Sequence, residues 1–117
     1  MCFEIELYEN ENGKKPFDEF INDLDEKHRA KVLKNLKLLQ MKGNMLGMPF
    51  SKPLRDGIFE LRTQYHDGIS RVCYFFVYNK KIILTHGFIK KTEKTPNSEI
   101  NKAIKYMNDY LARNGGK

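Results

Sequence analysis

IFELRTQYHDGISRVCYFFVYNKKIILTHGFI, residues 58–89, decides the fold. It divides into three runs, 58–65, 69–78 and 81–89, each rich in β-branched and aromatic residues. His66-Asp67-Gly68 and Asn79-Lys80 separate the runs at turn length, which predicts an antiparallel meander of three strands. Strand pleating sets Ile58, Glu60 and Arg62 on one face of the first run and Phe59, Leu61 and Thr63 on the other. The second set reads as core, so Arg62 is expected on the open side of the sheet. Arg71 shares its face with Cys73 and Phe75, but it stands near the strand start. There it is expected to reach the edge of a groove.

Working toward the N-terminus, residues 44–53 hold two prolines and two methionines and read as a loop. Before it, residues 26–42 predict a helix that buries Val32, Leu33, Leu36 and Leu39 and ends at Gly43. Lys27, Arg29, Lys31, Lys34 and Lys37 fall on its exposed side. A shorter helix opens at Pro16, where the missing N–H costs little, with Phe17, Phe20, Ile21 and Leu24 as its apolar stripe. Residues 3–8 alternate apolar and acidic side chains as a half-buried strand does. Toward the C-terminus, Thr95 is the expected N-cap and Pro96 the first residue of a last helix. Its stripe is Ile100, Ala103, Ile104, Met107 and Leu111, and residues 114–117 are expected to fray. The order is β-α-α-β-β-β-α. It predicts an α+β fold, a mainly antiparallel sheet with helices packed on one face and the other face open for function.

A chain of 117 residues suits one domain, residues 1–117, with a core large enough to need no staples. Cys2 and Cys73 lack metal-ligand spacing, and Cys73 sits in an apolar run as a buried thiol would. With no secretion signal and no apolar run long enough to span a bilayer, a cytoplasmic protein without membrane contact is expected. The net charge of +6 is unevenly spread. Residues 1–26 carry nine acids and two lysines, whereas the remainder carries nineteen Lys or Arg against six acids. An acidic end before a strongly basic body points to a surface for a polyanion.

Cations stand where such a surface would need them. Arg62 and Arg71 lie on strands, and Lys90, Lys91 and Lys94 follow the last one. Arginine suits phosphate because its planar fork donates two hydrogen bonds to the oxygens. Tyr65 and Tyr74 offer rings for stacking on unpaired bases, with His66, Lys52 and Arg55 as further RNA-binding candidates. His86, within the third run, is a candidate for proton transfer. The acids gather in the first 26 residues, away from the basic strands, and no zinc, two-metal, phosphate-loop or dinucleotide motif occurs. No metal and no cofactor are expected.

Three stretches taken together carry a resemblance: LRDGIFELR at 54–62, RVCYFF at 71–76 and HGFIKKTEKTP at 86–96. With the order of elements, they make the chain similar to the phage-related HigB branch of the RelE/ParE toxin superfamily. The resemblance implies the compact RelE-like fold and a toxin of a type II toxin–antitoxin system. Such toxins are endoribonucleases that cleave mRNA, often on the translating ribosome, with no metal. A HigA-like helix-turn-helix antitoxin neutralises them, and operator DNA is bound only through that complex. Carried over by motif, Arg62, Arg71 and Lys90 or Lys91 match the basic catalytic residues, with Lys94 and His86 beside them. The C-terminal tyrosine that assists catalysis in RelE has no counterpart, since Tyr106 and Tyr110 lie inside the last helix, so the general base stays open. Two other readings stay beside this one: a ParE-like poison of DNA gyrase, and a non-catalytic nucleic-acid-binding module.

Overall fold

The computed structural model describes residues 2–66 and 68–114. In chain order the elements are β1 (Glu4–Leu7), α1 (Pro16–Asp23), α2 (Glu26–Lys42), β2 (Ser51–Pro53), β3 (Phe59–Tyr65), β4 (Gly68–Val77), β5 (Lys81–Lys90) and α3 (Asn97–Arg113), with a 3-10 turn at Gly43–Met45 after α2. The strands form one sheet in the order β1-β5-β4-β3-β2. The expected meander β3-β4-β5 is antiparallel and central, and β1 joins β5 in parallel. The expected α+β class and mainly antiparallel sheet are found.

Central β4 explains how the layers are arranged. Its first eight residues are buried, because Val72, Cys73, Tyr74 and Phe75 put apolar groups on both faces of the pleat. Val72 and Tyr74 pack with Leu61, Ile82 and Leu84 against Ile21, Val32, Leu36 and Leu39 of α1 and α2. Cys73 and Phe75 pack with Ile58 and Ile83 against Ala103 and Tyr110 of α3. Fully burying a side chain of this size stabilises by roughly 1.5–3 kcal/mol, so each apolar face holds its own helix layer. The expectation that all helices share one face is therefore corrected. α1 and α2 cover one side and α3 covers the other.

Local chemistry fixes the boundaries. Asp25 caps α2 by accepting from the His28 amide at 2.8 Å. Gly43 ends that helix at φ 55°, and a Cβ there would run into the Phe3 ring. At Gly87 the missing side chain lets the Phe20 ring of α1 lie against β5. Of the expected stripe on the last helix, Ile100 and Ala103 are buried and Ile104, Met107 and Leu111 are half-buried. Leu33, expected in the core, is exposed. Two further readings change. The stretch 44–53 contains β2, which pairs Ser51 with Leu61. α3 is preceded by Pro96 as N-cap with no side-chain cap, because the Thr95 hydroxyl is used elsewhere. Asp67 of the first turn and residues 115–117 of the expected frayed end lie outside the described residues.

Candidate nucleic-acid interface

β3 ends, β4 begins and β5 ends at the same edge of the sheet, and residues 91–96 leave β5 there toward α3. Register places Arg62 opposite Arg71, and Arg71 opposite Phe88. Pleating carries both arginines to the α3 face, beyond the part that α3 covers with Cys73 and Phe75. Glu60, two residues before Arg62, shares that face and is fully buried.

These three side chains hold the segment after β5 at four successive residues. Arg71 donates to the carbonyl of Thr92, and at 3.2 Å to that of Lys94. Arg62 donates to the Glu93 carboxylate at 2.9 Å, while its Nε stands 3.5 Å from Glu60 Oε2. The Thr95 hydroxyl donates to the other oxygen of Glu60. Burial pulls the Arg71 pKa below the ordinary arginine value, opposed by Glu60 and reinforced by Arg62. Arg62 holds the Glu93 carboxyl below the usual carboxylate range. Arg71 Nε and Glu60 Oε2 are buried without a hydrogen bond. Such a group persists only where surrounding contacts over-determine it.

Arg71 therefore does not reach a groove edge. Its side chain is fully buried, and two of its nitrogens are spent on backbone carbonyls. Arg62 keeps a small access, its side chain 10% exposed: with Glu93 it lines a groove of about 740 Å³ between α2 and the outer edge of β3. Lys90, Lys91 and Lys94 are exposed around the tethered segment. The buried ions hold a segment that displays lysines.

The other candidates separate into three groups. Tyr65, half-buried at the end of β3, stacks on His28 at 4.4 Å with the Lys31 ammonium 5.7 Å from its ring centre. His66 beside it is exposed at φ 54°. These two belong to the same edge as Arg62. Lys52 is half-buried on β2 opposite Glu60, and exposed Arg55 pairs with Asp56 at 3.2 Å and donates to Asn101 of α3. Tyr74 and His86 are inside. Tyr74 is 1% exposed, stacks on Phe59 and shares a hydrogen bond with Ser51, so its ring is closed to bases. His86 sits after a bulge at Thr85, bonded through Nε2 to Glu99 at 2.9 Å and through Nδ1 to Thr85. Burial pushes its pKa down against the pull of Glu99. It borders a separate cavity beside α1 and is absent from the lining of the groove at Arg62.

Sequence reasoning passed over Glu60, Glu93, Thr95 and the buried pair of His28 with Ser70. An acid between Phe59 and Leu61, on the face of Arg62, is the signal that marks a buried ion partner. Among the described residues no group of three or more His, Cys, Asp or Glu converges as metal ligands. No described helix is long and apolar enough to cross a membrane.

The family model described as phage derived protein Gp49-like (DUF891) matches residues 19–108. That span contains every side chain of the tethered cluster. No curated protein matches the chain significantly.

Proposed function

The chain belongs to the phage-derived Gp49-like family (DUF891), within the RelE/HigB-type toxin superfamily, and from that premise we propose that it is an mRNA-cutting toxin of a toxin–antitoxin system. It is a cytoplasmic endoribonuclease of one domain, residues 1–117, of the HigB kind. It acts on mRNA at the ribosome and is silenced by a HigA-like helix-turn-helix antitoxin. The observation that carries this reading is the arrangement at residues 92–95. A Glu60–Arg62–Arg71 cluster fixes four successive residues, keeps Arg62 10% exposed and leaves Lys94 at the surface, with Lys90 and Lys91 exposed just before the segment.

The chemistry follows from those groups. The RNA 2′-oxygen attacks the adjacent phosphorus as its proton leaves. The bond from phosphorus to the 5′-oxygen breaks, and that oxygen takes up a proton. The products are a 2′,3′-cyclic phosphate and a 5′-hydroxyl. Arg62 stabilises charge on the phosphate oxygens, and Lys90, Lys91 and Lys94 supply the proton transfers. Arg71 acts as a positioning residue, through the carbonyls of Thr92 and Lys94. Tyr65 and His66 line the approach of the strand. Removing one preorganised donor of this kind costs on the order of 10²–10³ in rate.

The test is cleavage of a defined mRNA on purified translating ribosomes, followed by analysis of the ends. Cyclic phosphate and 5′-hydroxyl ends are expected. Intact RNA together with gyrase-dependent DNA breaks would replace this reading by the gyrase-poison one.

A further inference from the structure

We infer that the groove between α2 and the outer edge of β3 is a docking site for an acidic amphipathic segment of a protein partner. The identity of that partner as the neutralising protein rests on the toxin–antitoxin reading; the site itself rests on the following observations.

Among the described residues, five of the seven large exposed hydrophobic side chains fall within residues 33–50: Leu33, Met41, Met45, Met48 and Phe50. Scattered exposed apolar residues are ordinary, but the convergence of Met41, Met48 and Phe50 on one groove marks a contact surface. Met41, Met48 and Phe50 line the groove with Leu38. β2 stops opposite Leu61, and beyond it the Arg62 amide donates to the Phe50 carbonyl at 2.7 Å while the Arg62 carbonyl accepts from Asn35. A docked segment therefore meets an apolar floor rather than a free strand edge. Methionine suits such a floor, because its flexible thioether adapts to the surface it receives.

Charge selects the occupant. Lys34 and Lys37 stand on the α2 wall, and neither pairs with a carboxylate among the described residues. A segment with apolar residues on one side and carboxylates on the other satisfies both floor and wall, as an amphipathic helix does in an apolar groove. Single-stranded RNA fits less well. It needs aromatic platforms for successive bases, and Phe50 is the lone aromatic ring along this lining. The lining also links occupancy to activity. Arg62 and Glu93 line the groove, so a carboxylate of the occupant competes with Glu93 for the Arg62 guanidinium and bars the RNA phosphate from it.

The experiment co-expresses the full chain with the product of the neighbouring reading frame and measures the purified complex by hydrogen exchange and titration. Protection across residues 33–50 and 62–65 is expected. Lys34→Glu/Lys37→Glu, two exposed helix positions whose folding is checked by circular dichroism, should weaken the complex about tenfold or more. Cleavage by the free variant should be unchanged. A complex of undiminished affinity with no protection at residues 33–50 overturns the docking site and leaves the toxin reading standing. Loss of binding to a short single-stranded RNA, with the protein complex intact, makes the groove an RNA channel instead. A wild-type chain that cleaves RNA but ignores the neighbouring product overturns the docking site alone. A chain that does neither overturns both.

Discussion

The two faces of the sheet meet polar groups at the same edge and treat them differently. On the α2 face, Ser70 hydrogen-bonds His28, and Asn35 donates to Thr63 at 3.0 Å. These groups are neutral or uncharged by burial, since desolvation pushes the His28 pKa below the ordinary value of 6.5. A long helix closes over them. On the α3 face, Glu60, Arg62 and Arg71 are ionic, and what closes over them is the segment at 92–95. Neutral pairs under a helix serve folding. Buried ions under a displayed segment fix the position of lysines that face solvent, at a desolvation cost that apolar residues would avoid.

The largest effect expected from this contrast is on stability. Arg71→Met leaves two carbonyls without donors and leaves Arg62, among the described residues, as the one cation beside the buried Glu60 carboxylate. Chemical denaturation should show a loss of about 3–5 kcal/mol. Glu60→Leu/Arg71→Met should recover part of that loss, because the buried carboxylate left with Arg62 alone goes as well. If Arg71→Met unfolds at the wild-type midpoint, the ionic face holds nothing and the contrast fails. Next comes Arg62→Lys, which keeps the charge beside Glu60 and removes the fork. Steady-state cleavage should fall on the order of 10²-fold while the melting temperature moves little.

Ser70→Ala sharpens the comparison from the other face. It strands a buried His28 nitrogen, which should cost about 1–3 kcal/mol in denaturation and leave cleavage per folded molecule unchanged. Acid acts mainly on histidine as well. Burial lowers both His28 and His86, so the unfolded chain binds protons that the folded chain does not. Their stability is complete above 6.5 and is lost as pH falls below it, which thermal melts between pH 7 and about pH 5 should show. His28→Gln/His86→Gln should flatten that slope. The smallest change is a control outside both regions. Asn79 and Lys80 hold φ of 66° and 55° in the β4–β5 turn, so Lys80→Gly should stabilise by about 1 kcal/mol.

Much of this architecture is legible in residues 58–89, because period-two alternation and turn chemistry are local signals. α2 is found over Glu26–Lys42 as expected, since Asp25 and Gly43 punctuate it. Helix placement was less legible. The apolar run from Val72 to Phe76 has no polar face, which means cover on both sides, yet the alternation in β3 alone suggested an open face. β2 is three residues long and includes Pro53, too short and too irregular for periodicity to mark. At the site, pleating grouped Arg62 with Ile58 and Glu60, but it could not tell that this face is covered, with Arg62 only 10% exposed and Arg71 beneath a tethered segment. That depends on contacts 21 and 23 residues away, to Thr92 and Lys94. Tyr74 shows the same limit, because its partner Ser51 lies on the strand that periodicity missed.

The most direct test of the central claim is mapping of 5′-hydroxyl RNA ends in cells after brief induction of the wild-type chain and of Arg62→Lys. New 5′-hydroxyl ends within coding regions, strongly reduced in the variant at equal protein level, are the predicted result. Growth arrest with no new RNA ends, or the same ends at the same frequency from Arg62→Lys, would contradict it.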